Sequence, residues 1–271
     1  MTKLTPHNHR LGWTRDLPDH RDYLYSTPAD ILKTLPHKAD LRSTMPPVYD
    51  QGDIGSCTSN AIGAAFEFDR IKLNETPAFT PSRLFIYYNE RSMERTIPLD
   101  AGAEIRDGIK SVATLGVCPE SEWPYLAVAA DPTTNLFPVG SPPVTKPSAK
   151  CYTDAKEYTA IAYYRVQQTI TQLKGCLAQG FPFVFGFTVF SNLYDATGNP
   201  VITLNLPAWR DSMLGGHAVM AVGYDDTTSM FVIRNSWGPA VQDKGYFYMA
   251  YQYVTDHNLS SDFWTIRRVS S

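Results

Sequence analysis

Apolar residues recur at three- and four-residue steps along the first half of the chain. Along the second half they alternate or run continuously. Between Cys57 and about Leu73, Ala61, Ala64, Ala65 and Phe68 fall on one face of an expected helix, with Ser56 placed to cap its start. Pro81 to Met93 (PSRLFIYYNERSM) is a second expected helix, with Pro81 near its first turn, and Ile105 to Leu115 a third, ended by Gly116. Val166 to Gln179 is the fourth. Beyond it, Phe183 to Val189, Ala218 to Tyr224, Met230 to Arg234 and Gly245 to Met249 read as strands. Helices first and strands after predict an α+β protein with two segregated lobes, the helical one mostly within 50–130 and the β-rich one mostly within 150–271.

Three stretches lack periodicity. Residues 1–34 are polar and read as an extended N-terminal arm carrying Asp16, Asp19, Arg21 and Asp22. Pro36 to Pro47 is irregular, and 132–147, with prolines at 132, 138, 142, 143 and 147, reads as a crossing segment rather than packed regular structure.

The length of 271 residues and the 43% hydrophobic content allow one large domain or two small lobes around a sizeable core. A net charge of -3 gives no reason to expect nucleic-acid or membrane binding. No apolar run approaches the roughly 20 residues of a membrane span. The N-terminus has no apolar signal region, so the expectation is a cytoplasmic or non-classically secreted protein. The four cysteines, Cys57, Cys118, Cys151 and Cys176, include no CxxC pair and no zinc-ligand spacing. Disulfides are allowed but not required, and no metal or organic cofactor is expected.

The chemistry is concentrated in Gln51-Gly52-Asp53-Ile54-Gly55-Ser56-Cys57 and two later stretches, Gly215-Gly216-His217-Ala218-Val219 and Arg234-Asn235-Ser236-Trp237-Gly238. A free thiol has a pKa of about 8.5, and a helix N-terminus or a nearby imidazolium favours its thiolate. Cys57 is thus a candidate nucleophile. His217 is the histidine flanked by a glycine pair and an apolar strand; Gly215 and Gly216 are expected to turn the chain before that strand. The Asn235 side-chain oxygen is suited to hold one ring N–H, and Trp237 to cover that bond. Gln51 is suited to aim its amide at a developing oxyanion beside the Cys57 backbone N–H. Each stretch alone has an ordinary structural reading. Together, in the order Gln, Cys, His, Asn, they supply nucleophile, base and orienter.

These residues resemble the papain-like cysteine peptidases from about Leu35 to the C-terminus. Leu35-Pro36 through Leu41-Arg42 is similar to the start of the mature enzymes, Pro47 through Cys57 to their active-site motif, and Glu120 through Trp123-Pro124-Tyr125 to a further family motif. The resemblance implies a papain-like two-lobed fold over residues 35–271. It also implies peptide-bond hydrolysis of a peptide or protein substrate, with Cys57 as nucleophile, His217 as acid/base, Asn235 as orienter and Gln51 as oxyanion donor. Gly102, in Asp100-Ala101-Gly102-Ala103, is expected to contact substrate backbone, with Gly216 and Trp237 also lining the cleft. A monomeric endopeptidase is expected. Rival readings are a silent peptide-binding protein on the same scaffold and a transglutaminase-type acyl transferase, whose usual Asp is here Asn235.

The chain also departs from the family. Ile54 stands where a disulfide cysteine is common, Thr58 where a tryptophan follows the nucleophile, and Val241-Gln242 where a second Trp-Gly is usual. His217 lies 160 residues after Cys57 (217 − 57), against a usual separation of about 130–150. Insertions in 132–147 or 191–211 would account for the excess. Gly12-Trp13 through Asp22-Tyr23 resembles the short N-terminal segments of some bacterial members. The arm is expected either to cover the cleft and limit access or to strap the lobes together.

Overall fold

A computed structural model of the chain describes residues 9–270. The arm contributes strands β1 (Trp13–Thr14) and β2 (Leu24–Tyr25) and a short helix α1 (Ala29–Lys33), followed by β3 (Lys38–Asp40). The helical lobe is built from α2 (Cys57–Leu73), α3 (Arg83–Glu94) and α4 (Ile105–Thr114), with β4 (Ala103–Glu104) just before α4. Then come α5 (Ala149–Ala155), β5 (Ala160–Val166), α6 (Ile170–Ala178), β6 (Phe183–Phe190), β7 (Thr203–Leu204), β8 (Met213–Asp225), β9 (Met230–Arg234), β10 (Tyr246–Ala250), α7 (Tyr251–Thr255) and β11 (Ser260–Val269).

Nine strands form one sheet in the order β2-β5-β11-β6-β8-β9-β10-β7, with β3 paired to the far end of β8. Alternation along β6 sorts its side chains. Phe183, Phe185, Phe187 and Val189 pack with Leu173, Cys176 and Leu177 of α6 on one face, whereas Val184 faces the core shared with α2. On β8, Ala218, Met220 and Val222 face that same shared core. Helix α2 is buried at every residue from Cys57 to Arg70. It is covered on all sides, lying between helices α3 and α4 and strands β8 and β11.

Four expectations shift. The fourth helix starts at Ile170, capped by the Thr169 side chain, because Val166 is the last residue of β5. The glycines Gly215 and Gly216 lie inside β8 rather than in a turn before it. Ser56 makes no side-chain cap on α2, because its hydroxyl is taken by Tyr125 Oη at 2.5 Å and Asn60 Nδ2 at 3.1 Å. The segment 132–147 holds only one short 3-10 turn, at Pro142–Val144, yet it is packed: Phe137 is buried with Ile54, Leu84 and Tyr87.

The arm reaches both lobes. Strand β1 pairs parallel with β4 (Trp13 opposite Ala103), and β2 pairs parallel with β5 at the sheet edge. Between them, buried Asp16 accepts from the Arg106 backbone N–H at 3.1 Å, Trp264 Nε1 at 3.1 Å and Arg165 at 3.1 Å. Residues 1–8 of the arm lie outside the described residues. Among the described residues, no helix is long and apolar enough to cross a membrane.

Candidate active site

The loop before α2 and the turn after β9 are zipped together by backbone bonds. Gln51 N–H donates to Ser236 O at 2.8 Å, and Gly238 N–H to Tyr49 O at 2.9 Å. Arg234 donates to Pro46 O at 2.6 Å and to Pro47 O, tying β9 to the same loop. These bonds bring Cys57, the first residue of α2, against β8, where the Ala218 backbone N–H lies 3.4 Å from Cys57 Sγ. His217 precedes Ala218, and its Nε2 lies 2.9 Å from Asn235 Oδ1.

The tautomer follows from a chain of bonds that starts far from the ring. The Val201 carbonyl only accepts, so Gln242 offers it Nε2–H, at 3.0 Å. That turns Gln242 Oε1 towards Asn235, whose Nδ2 donates to it at 2.8 Å. Asn235 Oδ1 therefore faces His217 and also accepts the Ser236 backbone N–H at 2.8 Å. His217 must carry its proton on Nε2, which leaves Nδ1 without a hydrogen-bond partner among the described residues. Trp237 stacks on the His217 ring at 4.9 Å and is itself buried.

Gln51 is held the same way. Ser236 Oγ donates to its Oε1 at 2.7 Å, so its amide nitrogen is turned outward, donating to Ile54 O at 3.0 Å and Arg10 O at 2.9 Å. The Tyr125 hydroxyl donates to Gln51 O at 2.8 Å, which gives the Trp123-Pro124-Tyr125 motif a supporting role. Where the family has a disulfide, buried Ile54 packs on Leu84, Tyr87, Ala130 and Phe137. Thr58 donates to Glu90 Oε2 at 2.9 Å, and full burial holds that carboxyl well above its usual range. The other three cysteines are buried free thiols.

The cleft is filled by the arm. The Arg10 carbonyl sits on the Gln51 amide. Gly12 presses on Gly55 and Gly102 so closely that a Cβ on Gly12 would fall 1.9 Å from Gly55 O. Trp13 covers Gly216, and His9 stacks on Trp237 at 5.3 Å. Gly102, Gly216 and Trp237 are therefore all met by the arm. Under this cover, desolvation above all pushes the Cys57 thiol up to about 12, against smaller downward pulls from the backbone N–H groups of Ala218 and Gly12. The same burial pushes His217 down to about 4, the Asn235 bond opposing. The expected helix-end preference for thiolate is thus overridden here: with water excluded, thiol and imidazole are both neutral at pH 7.

Three participants were not singled out from the sequence: Gln242, Asp100 and Arg10. Gln242 had a signal, since it stands in a departure from the family's Trp-Gly; Arg10 and Asp100 are brought together across a sequence gap of 90 residues.

A family profile described as papain family cysteine protease matches residues 35–264. Xylellain, a cysteine protease from Xylella fastidiosa, superposes with a TM-score of 0.91 at 49% identity, over 96% of this chain and 97% of its own. An uncharacterized peptidase C1-like protein of Acanthamoeba polyphaga mimivirus is 39% identical over 96% of this chain and 87% of its own length. Cysteine proteinase 3 of Entamoeba histolytica is 25% identical, over 89% of this chain and 70% of its own length.

Proposed function

The chain belongs to the papain family of cysteine proteases, and from that membership we propose that Cys57, His217, Asn235 and Gln51 carry its hydrolysis of peptide bonds. The observation that supports this most is the fixed imidazole. Nε2 is committed to Asn235, Nδ1 has no hydrogen-bond partner among the described residues, and the next residue's N–H touches the Cys57 sulfur. With the arm displaced and water admitted, Nδ1 takes the thiol proton and gives a thiolate–imidazolium pair. The thiolate attacks the scissile carbonyl, and Gln51 Nε2–H and the Cys57 backbone N–H stabilise the oxyanion. The imidazolium protonates the leaving amine, leaving an acyl-enzyme. His217 then deprotonates water, which attacks the thioester and releases the acid.

In this reading the arm covers, through residues 9–13, the cleft of a peptidase domain spanning 35–271, and Gly102, Gly216 and Trp237 line the path an extended substrate takes once the arm lifts. All four reacting positions come from one chain, so a monomer suffices.

Prolonged incubation with an epoxysuccinyl peptide, followed by peptide mapping, is expected to place a single adduct on Cys57 as peptidase activity disappears. Loss of activity with the adduct on Cys118, Cys151 or Cys176 would refute the assignment.

Gln242→Gly tests the Asn235 support. Gln242 has a φ of 58°, a left-handed conformation that glycine adopts without strain, so the fold is expected to persist. The side chain that fixes the Asn235 amide is lost, and kcat is expected to fall about tenfold with little change in KM. An unchanged kcat would show that Asn235 holds its orientation without help.

A further inference from the structure

We propose that Asp100 and Asn135 form a subsite for an arginine or lysine side chain in the substrate residue immediately before the cleaved bond. The inference rests on the assignment of Gln51 as oxyanion donor. Arg10 is the arm residue whose carbonyl oxygen lies on the Gln51 amide, at 2.9 Å. A substrate carbonyl under attack occupies that position, and the residue bearing it precedes the scissile bond. The side chain of that same arm residue is gripped at both ends of its guanidinium. Arg10 Nη1 donates to Asp100 Oδ2 at 2.8 Å, and Nη2 to Asn135 Oδ1 at 2.6 Å.

Asp100 is built into the wall rather than recruited by the arm. Its Oδ1 accepts the Gly55 backbone N–H at 2.9 Å and the Tyr87 hydroxyl at 2.6 Å. Gly55, two residues before Cys57, also shares its N–H with Oδ2 at 3.1 Å, so the carboxylate is fixed with Oδ2 turned towards Arg10. The Asp100 side chain is fully buried, and Arg10 is the ion-pair partner it has among the described residues. Asn135 is locked beside it, because the Asp100 N–H donates to Asn135 O and the Asn135 N–H to Asp131 O, each at 2.8 Å. When the arm lifts, its cation leaves too, and a buried carboxylate without a counter-charge faces the cleft. A buried charge without a partner is unfavourable, so a cationic side chain entering with the substrate is favoured over a neutral one. Arginine matches both acceptors with its planar fork, whereas lysine offers a single point charge, so arginine ranks first.

The test uses fluorogenic peptides that differ only in the residue before the cleaved bond: arginine, lysine, or citrulline, the uncharged isostere of arginine. Asp100 also holds the arm, so absolute rates in its variants mix two effects, and the readout is the ratio of kcat/KM values for arginine over citrulline. The wild-type full-length protein is expected to prefer arginine by about 10- to 100-fold. Asp100→Asn keeps an acceptor for Gly55 and Tyr87 and is expected to bring the ratio close to one while citrulline peptide is still cleaved. Asn135→Asp adds a second carboxylate at an exposed loop position whose φ of 58° aspartate tolerates, and is expected to widen the ratio. Cleavage of all three peptides without an arginine preference, or a preference unmoved in both variants, overturns the subsite and leaves the protease reading standing. Cleavage of none of them, with Cys57 also unreactive to alkylation, overturns the protease reading itself.

Discussion

Replacing Cys57 with alanine is expected to cut peptide hydrolysis by about five orders of magnitude or more, the scale seen when a triad nucleophile is removed. No neighbouring group can substitute. The Ser56 hydroxyl is tied to Tyr125 and Asn60, and that of Ser236 donates to Gln51. The remaining thiols are buried in the core rather than opposite His217. The fold is expected to survive. The substitution leaves the Ala218 N–H without its sulfur acceptor and opens a small void, a cost of about 1–2 kcal/mol. That is small against the roughly 5–15 kcal/mol by which domains are stable. Peptidase assay together with a thermal melt checks both halves. A folded Cys57→Ala protein with wild-type turnover would sink the proposed chemistry.

Gly12→Val is expected to lift the arm and expose the thiol. A Cβ at Gly12 meets Gly55 O at 1.9 Å and no flexible side chain is there to yield, so residues 9–14 cannot reseat. The Asp16 contacts with Arg106, Arg165 and Trp264 and the pairing of β2 with β5 lie further along the arm and keep the rest of it attached. The sign of the chemical effect follows from burial. Under the arm the thiol is pushed up to about 12, so thiolate appears only in strong alkali. Once water enters, the thiol falls back towards its ordinary pKa of about 8.5 or below, and His217 rises from about 4 towards the usual range near 6.5. At pH 7 the thiolate fraction then rises about a thousandfold, offset in part because a less basic thiolate is a weaker nucleophile. Alkylation of Cys57 is expected to be faster by about two orders of magnitude in the variant, with its pH midpoint moved to lower pH. Peptidase activity should rise alongside. Matching alkylation rates and pH profiles in the two proteins would instead make the arm a strap without a gate.

The residues of the candidate site were legible because each needs a local context that leaves a mark. A nucleophile at a helix start follows a tight glycine-bearing loop, and a ring beside a close-packed backbone sits among glycines. The strands β5 and β11 were not legible. Their residues Ala160–Val166 and Ser260–Val269 show only partial burial or a register broken by bulges, so the period of two is blurred. The Ser56 cap failed for a related reason: propensity places a hydroxyl at the helix start, but the tertiary neighbours Tyr125 and Asn60 decide what it bonds.

The sequence by itself determined the family, the α+β order of the chain and the four residues proposed for catalysis, since these depend on residue type and local spacing. Only the tertiary structure decided the state of that chemistry. The arm's course through the cleft, the neutral thiol beneath it, the Val201–Gln242–Asn235 chain that sets the His217 tautomer and the Arg10 clamp on Asp100 and Asn135 all join residues distant in sequence. Burial and hydrogen-bond direction are properties of those meetings, and no local pattern of residues carries them.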